Sequence, residues 1–494
     1  MVAGQQGPSH AMEAVVNPTA SLSFQDILSV EDTEELLDIT CEITELPLWP
    51  LVRNHFFRVM FSDLFYKGSI HTNIRSHQVR FKAVRTMARS AVHNLTASAK
   101  APGGVCIMAS GMGLQLQNGL WFNRLSDHFA LSAPQVSCLI EDQFHWEWPF
   151  PRSFSNVMFH APYQAAGVVW GRLGTRGRHR NQAEQVIDLV AGRAKERFGW
   201  SLAENSRTML TRKLAARAAA LPFMYSTYTR LLASTRAKLL LKEEACYGGS
   251  AVVVAAARSL GMVVAEYQHG AITSGHDAYN FAPAVLSNEA YRRCLPDYFL
   301  GHGQWWNQQI NAPVKKIAIG NPHRDTILSN VDRSHAKSNI LLIGDGVDTQ
   351  IYLKLASDLV PAAARLGLQV VFRPHPFERH LFGDESQTIA NVKIDSRGEI
   401  YDSLAHARAV VSESSTVLFE ASGLADMIFV WETPKSRFNL PSHPFEGVAG
   451  AEEIALKLSA AKQVEPRQES GMIWADGWRQ NYLAFLEELE IAPV

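Results

Sequence analysis

Two short stretches of this chain combine side chains that handle anions with backbone geometry that would aim them. The first is RPHP, Arg373 to Pro376, at the end of the apolar run VVF. Proline fixes φ, lacks an N–H and drives the preceding residue into extended geometry, so His375 is held in a stiff loop. A neutral imidazole donates or accepts a hydrogen bond, and a protonated one donates to phosphate, as does Arg373. The plainer reading of His375 is a structural loop residue. The second stretch is SESSTVLFEASG, where Ser414, Ser415 and Thr416 stand between an apolar run and a helix predicted over 417–423. Hydroxyls and free N–H groups at a helix start make an anion site, favoured by the helix dipole. Simple N-capping by Ser414 or Ser415 is the local alternative. Glu420, one turn further on, either reaches a ribose hydroxyl or lies in solvent.

Two other turns carry groups suited to proton transfer. In AEYQHGAITSGHD, Gln268, His269 and Gly270 follow an apolar run, and Gly270 permits close backbone approach. His276 and Asp277 follow in a polar loop. In LLLKEEACYGG, Glu243 and Glu244 end another run, where a carboxylate beside a cleft can take a proton from a hydroxyl. Asp127, Glu141 and Asp142 are rivals for that role, and solvated glutamates are the common alternative. Gly344 and Gly346 of GDG lack the full dinucleotide spacing but offer backbone approach to a ligand. The sequence has no GxxxxGK[ST], GxSxG, HExxH or D-x-D, so P-loop, serine-elbow, zincin and metal-dependent readings lose support, and no metal is expected.

These groups sit at the ends of runs that read as strands. GGVCIMASG, VSCLIED, AKLLLKEE, MVVAEYQHG, DYFLGHG and KKIAIGNPHRD form a first series, with helices between them that include a continuous helical stretch over 183–232. A polar connection over 322–338 leads to a second series: NILLIGDG, LQVVFRPHP, NVKIDS, ARAVVSESS and DMIFVWE. Such alternation implies parallel sheets covered by helices, with ligands beyond the carboxyl ends of the strands. The expected fold is α/β, with two Rossmann-like domains facing a central cleft and additional N-terminal helices. The boundaries follow as a disordered tail over 1–22, an acceptor-side domain over 23–330, a nucleotide-binding domain over 331–470 and a closing helix over 471–494.

Composition is that of a globular protein, 47% hydrophobic and 19% charged with a formal net charge of −1, which gives no global attraction to nucleic acid. Five scattered cysteines without CxxC, and a polar start lacking an apolar h-region, read as a reduced cytoplasmic protein. The basic amphipathic stretch 75–100 and the loop GRLGTRGRHR (171–180) are either solvated faces or surfaces for an anionic acceptor or lipid.

The order QHG, IGNPHRD, RPHP, SSTVLFEA resembles that of bacterial GT-B glycosyltransferases that build capsules and lipopolysaccharides. It is similar in particular to the group using CMP-activated acidic sugars, including polysialyltransferases and Kdo transferases. It also looks like the CDP-glycerol glycerophosphotransferases and, more distantly, the UDP-N-acetylglucosamine 2-epimerases. The resemblance spans roughly 239–430. It implies transfer of an acidic sugar (sialic, pseudaminic, legionaminic or Kdo type) from a CMP donor to a hydroxyl of a surface glycan or lipid-linked acceptor. It implies no cofactor or metal, and peripheral association with the inner face of the membrane. Carried over, His375 with Pro376 and Ser414, Ser415 and Thr416 would hold the phosphate, helped by Arg373, Glu420, Gly344 and Gly346. Gln268, Gly270, His276 and Asn321 would contact donor sugar or acceptor, and His269 would position them. The acidic pair of the polysialyltransferase-like members is followed directly by glycine, unlike Glu243-Glu244, which would include the base here. A CDP-glycerol-type transferase, a UDP-sugar transferase or epimerase, and a sugar-nucleotide-binding scaffold of a capsule assembly complex are the alternatives.

Overall fold

The computed structural model describes residues 22–66, 77–97, 99–143, 146–334, 336–376, 378–382, 388–461 and 471–491. Apart from Leu22, the tail expected to be disordered lies outside the described residues. The first domain contains β1 (Val105–Ala109), β2 (Leu114–Gln117), β3 (Leu120–Asn123), β4 (Ser137–Glu141), β5 (Val157–Phe159), β6 (Leu239–Lys242), β7 (Val263–Tyr267), β8 (Tyr298–Gly301) and β9 (Lys315–Ala318). Seven of these form one parallel sheet in the order β5-β4-β1-β6-β7-β8-β9, while β2 and β3 pair as a hairpin. The second domain contains β10 (Asn339–Ile343), β11 (Gln369–Arg373), β12 (Thr388–Ile389), β13 (Val392–Ile394), β14 (Ala407–Ser412), β15 (Met427–Trp431) and β16 (Glu446–Val448). They order as β12-β13-β11-β10-β14-β15-β16, parallel except for β12. Two Rossmann-like sheets facing one cleft, with helices preceding the first, are the GT-B architecture.

The continuous apolar runs are strands buried on both faces. In β1, Val105 and Ile107 enter one core, while Cys106 and Met108 enter the other. The terminal helix Trp478–Glu488 returns to the first domain and adds Tyr482, Phe485 and Leu486 to the core of Val105 and Ile107. Burial of each such side chain contributes roughly 1.5–3 kcal/mol, which fastens the chain's end across the domain boundary.

Several local expectations change. The stretch 183–232 is two helices, Gly177–Phe198 and Glu204–Thr235, separated by a left-handed turn at Gly199 with φ 73°. The supposed polar connection begins as a helix, Pro322–Leu328, because Asn321 Oδ1 accepts the Arg324 N–H at 3.1 Å and Pro322 occupies its first turn. The helix predicted over 417–423 is the single turn Val417–Glu420. β5, only three residues long, and the β2–β3 hairpin had no legible signal in the sequence. Among the described residues, no helix is long and apolar enough to cross a membrane.

Candidate active site

Both sheets point their carboxyl ends at one cavity of about 450 Å³ between the domains. The turns after β7, β8 and β9 line it from the first domain, and those after β10, β11 and β14 from the second. At its floor the Ala271 N–H donates to Thr416 Oγ1 at 3.2 Å, so the Thr416 hydroxyl joins the two domains.

His375 lines the cavity in a loop that the structure braces from below. Its backbone N–H donates to Glu378 Oε2 at 3.1 Å, and the same carboxylate accepts the Thr349 hydroxyl. Gly346 has φ +83°, and a Cβ there would stand 2.9 Å from His375 Nδ1. A Cβ on Gly344 would come as close to Glu378 Oε2. The GDG glycines therefore make room for the histidine loop; Gly344 also lines the cavity, whereas Gly346 does not. Burial lowers the His375 pKa below the ordinary histidine value, offset in part by Glu378 and Asp345.

Arg373 lines the cavity and is also engaged within the protein. It is buried, and Nη1 donates to Asp395 Oδ2 (2.8 Å), the Arg397 carbonyl (2.8 Å) and Ser403 Oγ (3.0 Å), while Nη2 donates to the Gly398 carbonyl (2.6 Å). Its guanidinium tethers the loop that brings Glu399 and Ile400 to the cavity. In the serine turn, Ser415 and Thr416 line the cavity and Ser414 does not. Ser415 Oγ accepts the Val417 N–H at 3.2 Å. With only one helical turn behind these hydroxyls, the dipole argument weakens, and the turn contributes local hydroxyl and N–H groups. Glu420 also lines the cavity. Burial raises its pKa, opposed by Arg124, Arg324 and a hydrogen bond with Tyr401.

On the first-domain wall, Gln268 locks the QHG turn by donating to the Gly270 carbonyl at 2.8 Å and accepting the His302 N–H at 2.8 Å. His269 lines the cavity. Its Nε2 lies 3.9 Å from Glu244 Oε1, and its buried Nδ1 has no hydrogen-bond partner among the described residues. Glu244 itself lies outside the lining with its backbone at φ 58°, a left-handed geometry that costs a non-glycine residue about 1–3 kcal/mol and concentrates at working sites. Glu243 is a structural group instead. Buried, it accepts the Ser110 N–H and hydroxyl, each at 2.8 Å, and the Tyr267 hydroxyl at 3.2 Å, which ties β1, β6 and β7 together. His276 is likewise removed from the cleft. Its Nδ1 accepts the Ala278 N–H, its Nε2 lies 3.1 Å from the Tyr247 hydroxyl, and burial lowers its pKa to about 4. Asn321 lines the cavity while capping its helix.

The rival carboxylates are committed elsewhere. Asp127 and Glu141 share the buried Arg152 at 3.2 and 2.6 Å, and Asp142 holds His160, which meets the Tyr228 hydroxyl. The structure adds cavity residues that sequence reasoning passed over: Arg124, His302, His323, Arg379 and Glu399. His302 in GHG and His323 in GNPHRD follow strands, so the strand-end rule applied evenly would have found both. Arg124 had no such signal. Burial lowers the pKa of His302 and of His323 to about 3 each, helped at His323 by Arg124 and His128.

No protein-family model and no curated protein matches this chain. Among solved structures, the chain is similar to a Listeria monocytogenes protein described as a UDP-N-acetylglucosamine 2-epimerase, at 12% identity and TM-score 0.42, covering 79% of this chain and 97% of that one. It is similar to a UDP-glucosyltransferase from Polygonum tinctorium at 13% identity and TM-score 0.40, covering 79% and 99%. It is also similar to the wall teichoic acid polymerase TagF at 10% identity and TM-score 0.36, covering 84% and 93%. Likeness of this order carries no functional inference. The fold assignment rests on the strand order and register of the two sheets, and the chemistry rests on the cleft.

Proposed function

We propose that this protein is a nucleotide-sugar-dependent GT-B glycosyltransferase. It transfers an acidic sugar from a CMP-activated donor to a hydroxyl of a bacterial surface glycan or lipid-linked acceptor, at the cytoplasmic face of the membrane and without a metal. The observation that carries the reading is the convergence of four imidazoles (His269, His302, His323 and His375) with Arg124 and Arg379 on one interdomain cavity. Such a set of imidazoles and fixed cations suits a phosphate leaving group, and domain closure keeps water from it.

In this reading His375 donates to the phosphate as the glycosidic bond breaks, while Ser415 and the adjacent turn hold its remaining oxygens. His269 accepts the proton of the acceptor hydroxyl, and Glu244 stabilises the imidazolium that forms. The acidic partner thus acts through His269, which is the group that faces the cavity. Glu420, which lines the cavity, would receive a ribose hydroxyl. The serine turn and the histidine loop flank β10, where the strand order of the second sheet reverses, and such a crevice is the usual nucleotide position in open α/β sheets.

The test is release of nucleotide from CMP-, CDP- and UDP-activated donors, with and without acceptor, alongside nucleotide affinity. Acceptor-dependent release of CMP, falling roughly 10²–10³-fold in His375→Ala, is expected. Unchanged nucleotide affinity and rate in that variant would remove the phosphate assignment. Release from CDP-glycerol alone would transfer the protein to phospho-alditol chemistry.

A further inference from the structure

The helix His77–Thr96 is inside out. On its packed side the Thr86 hydroxyl donates to the Trp146 carbonyl, the Ser90 hydroxyl donates to Gln143 Oε1, and Asn94 Nδ2 donates to the Phe159 carbonyl, each at 2.8 Å. Four of its large apolar residues face away: Phe81 is 75%, Val84 62%, Val92 63% and Leu95 86% exposed. At about 100° per residue, these four positions fall within roughly 80° of arc, a single stripe. Surface helices of soluble proteins present the opposite arrangement.

The neighbouring helix Ala161–Gly174 extends that surface. Gly167 and Gly171 let it press onto the helix Glu204–Thr235, against the Met224 side chain and the Ala216 carbonyl. Val168, Val169, Trp170 and Leu173 are left outward, Leu173 at 84% exposure. The charge is equally one-sided. Residues 77–96 and 161–180 each contain four Lys or Arg and no Asp or Glu, in a chain whose net charge is −1. Lys82 is paired with Glu147 and Arg178 with Glu42. Arg85, Arg172, Arg176 and Arg180 are exposed beside the apolar stripe.

We propose that these two helices form a docking surface for an anionic lipid bilayer. Apolar side chains with an aromatic member enter the headgroup boundary, and the arginines meet lipid phosphates. A second copy of the chain fits the same face poorly, because it would set one array of cations against another. The polar face of His77–Thr96 rests on the carboxyl end of β5, through hydrogen bonds to Phe159 and a 3.0 Å contact of His93 Nε2 with the Val157 carbonyl. The bilayer would therefore lie beside the edge of the first sheet, at the end where its strands face the cleft. The surface stands independently of the transfer reaction.

The experiment is flotation of the full chain with vesicles of phosphatidylcholine alone or mixed with phosphatidylglycerol. Solution mass and melting temperature are measured in parallel. The expected result is binding only to the anionic vesicles. The bound fraction should fall at least about tenfold in Phe81→Ser/Leu95→Ser and in Trp170→Ser/Leu173→Ser, and markedly in Arg85→Glu/Arg172→Glu, with melting temperatures unchanged. Failure of the wild-type chain to float with anionic vesicles would overturn the proposal. So would equal flotation of the folded apolar variants, or a wild-type dimer that the apolar substitutions dissociate.

Discussion

On the second-domain wall of the cleft, Arg373 makes four hydrogen bonds beneath the loops, Glu378 braces the His375 backbone, and Lys435 binds Glu413 at 2.5 Å and Asp348 at 2.9 Å. On the first-domain wall, His269 Nδ1 and His302 Nδ1 are buried without a hydrogen-bond partner among the described residues. The second-domain wall spends Arg373 and Glu378 on its own geometry, though Arg379 Nε there is also buried without a hydrogen-bond partner among the described residues; the first-domain wall keeps two such imidazole nitrogens. In the proposed transfer, the braced wall would hold the nucleotide and the opposite wall would carry the reacting groups.

The contrast breaks most visibly at the tether. Arg373→Ala should destabilise the fold by roughly 3 kcal/mol, the lower end for breaking a buried pair because Asp395 keeps 22% exposure. Urea unfolding reads this directly. Retained stability with selective loss of nucleotide affinity would make Arg373 a ligand after all and erase the difference between the walls. The next effect is at glycine. Gly346→Ala should cost about 1–3 kcal/mol through its positive φ and the crowding of His375. Gly270→Ala on the opposite wall meets nothing within 4 Å and should be close to neutral. Equal melting temperatures for the two variants would contradict the bracing described for the histidine loop.

The smallest effect is acid sensitivity of the first-domain wall. His302 and His323 titrate near 3 in the folded protein, against an ordinary value of 6.5. As pH falls below 6.5 the unfolded chain takes up protons that the folded chain refuses. Stability therefore declines as pH drops through that window, and does not change above it on this account. Each group contributes at most about 1.4 kcal/mol per pH unit, reduced by residual solvation. Urea midpoints across pH 7 to 5 should flatten in His302→Gln, and an identical slope in that variant would reject the buried-neutral assignment.

Much of this arrangement was legible before folding. Apolar runs ending in polar turns marked the strands of both sheets, because a strand buried on two faces must be apolar and its carboxyl end must leave the core. His375, His269 and Ser415 all stand in turns that this rule marks, and all three line the cavity. The rule does not separate a side chain that faces the cavity from one that is consumed below it. Glu243 and Glu244 are adjacent in sequence, yet one is held by Ser110, 133 residues away, and the other stands beside His269. Arg373 and His375 both line the cavity, but the guanidinium is held by the loop at Asp395–Gly398 while the His375 ring lies against Gly346.

The sequence by itself determined the alternation of strands and helices, the order of the strand-end motifs and the local basic character of 77–96 and 161–180, since each depends on nearby residues. Tertiary structure decided which polar groups are paired, which imidazoles are buried in neutral form and which face of the helix His77–Thr96 meets solvent. Those outcomes depend on desolvation and on partners brought from distant parts of the chain.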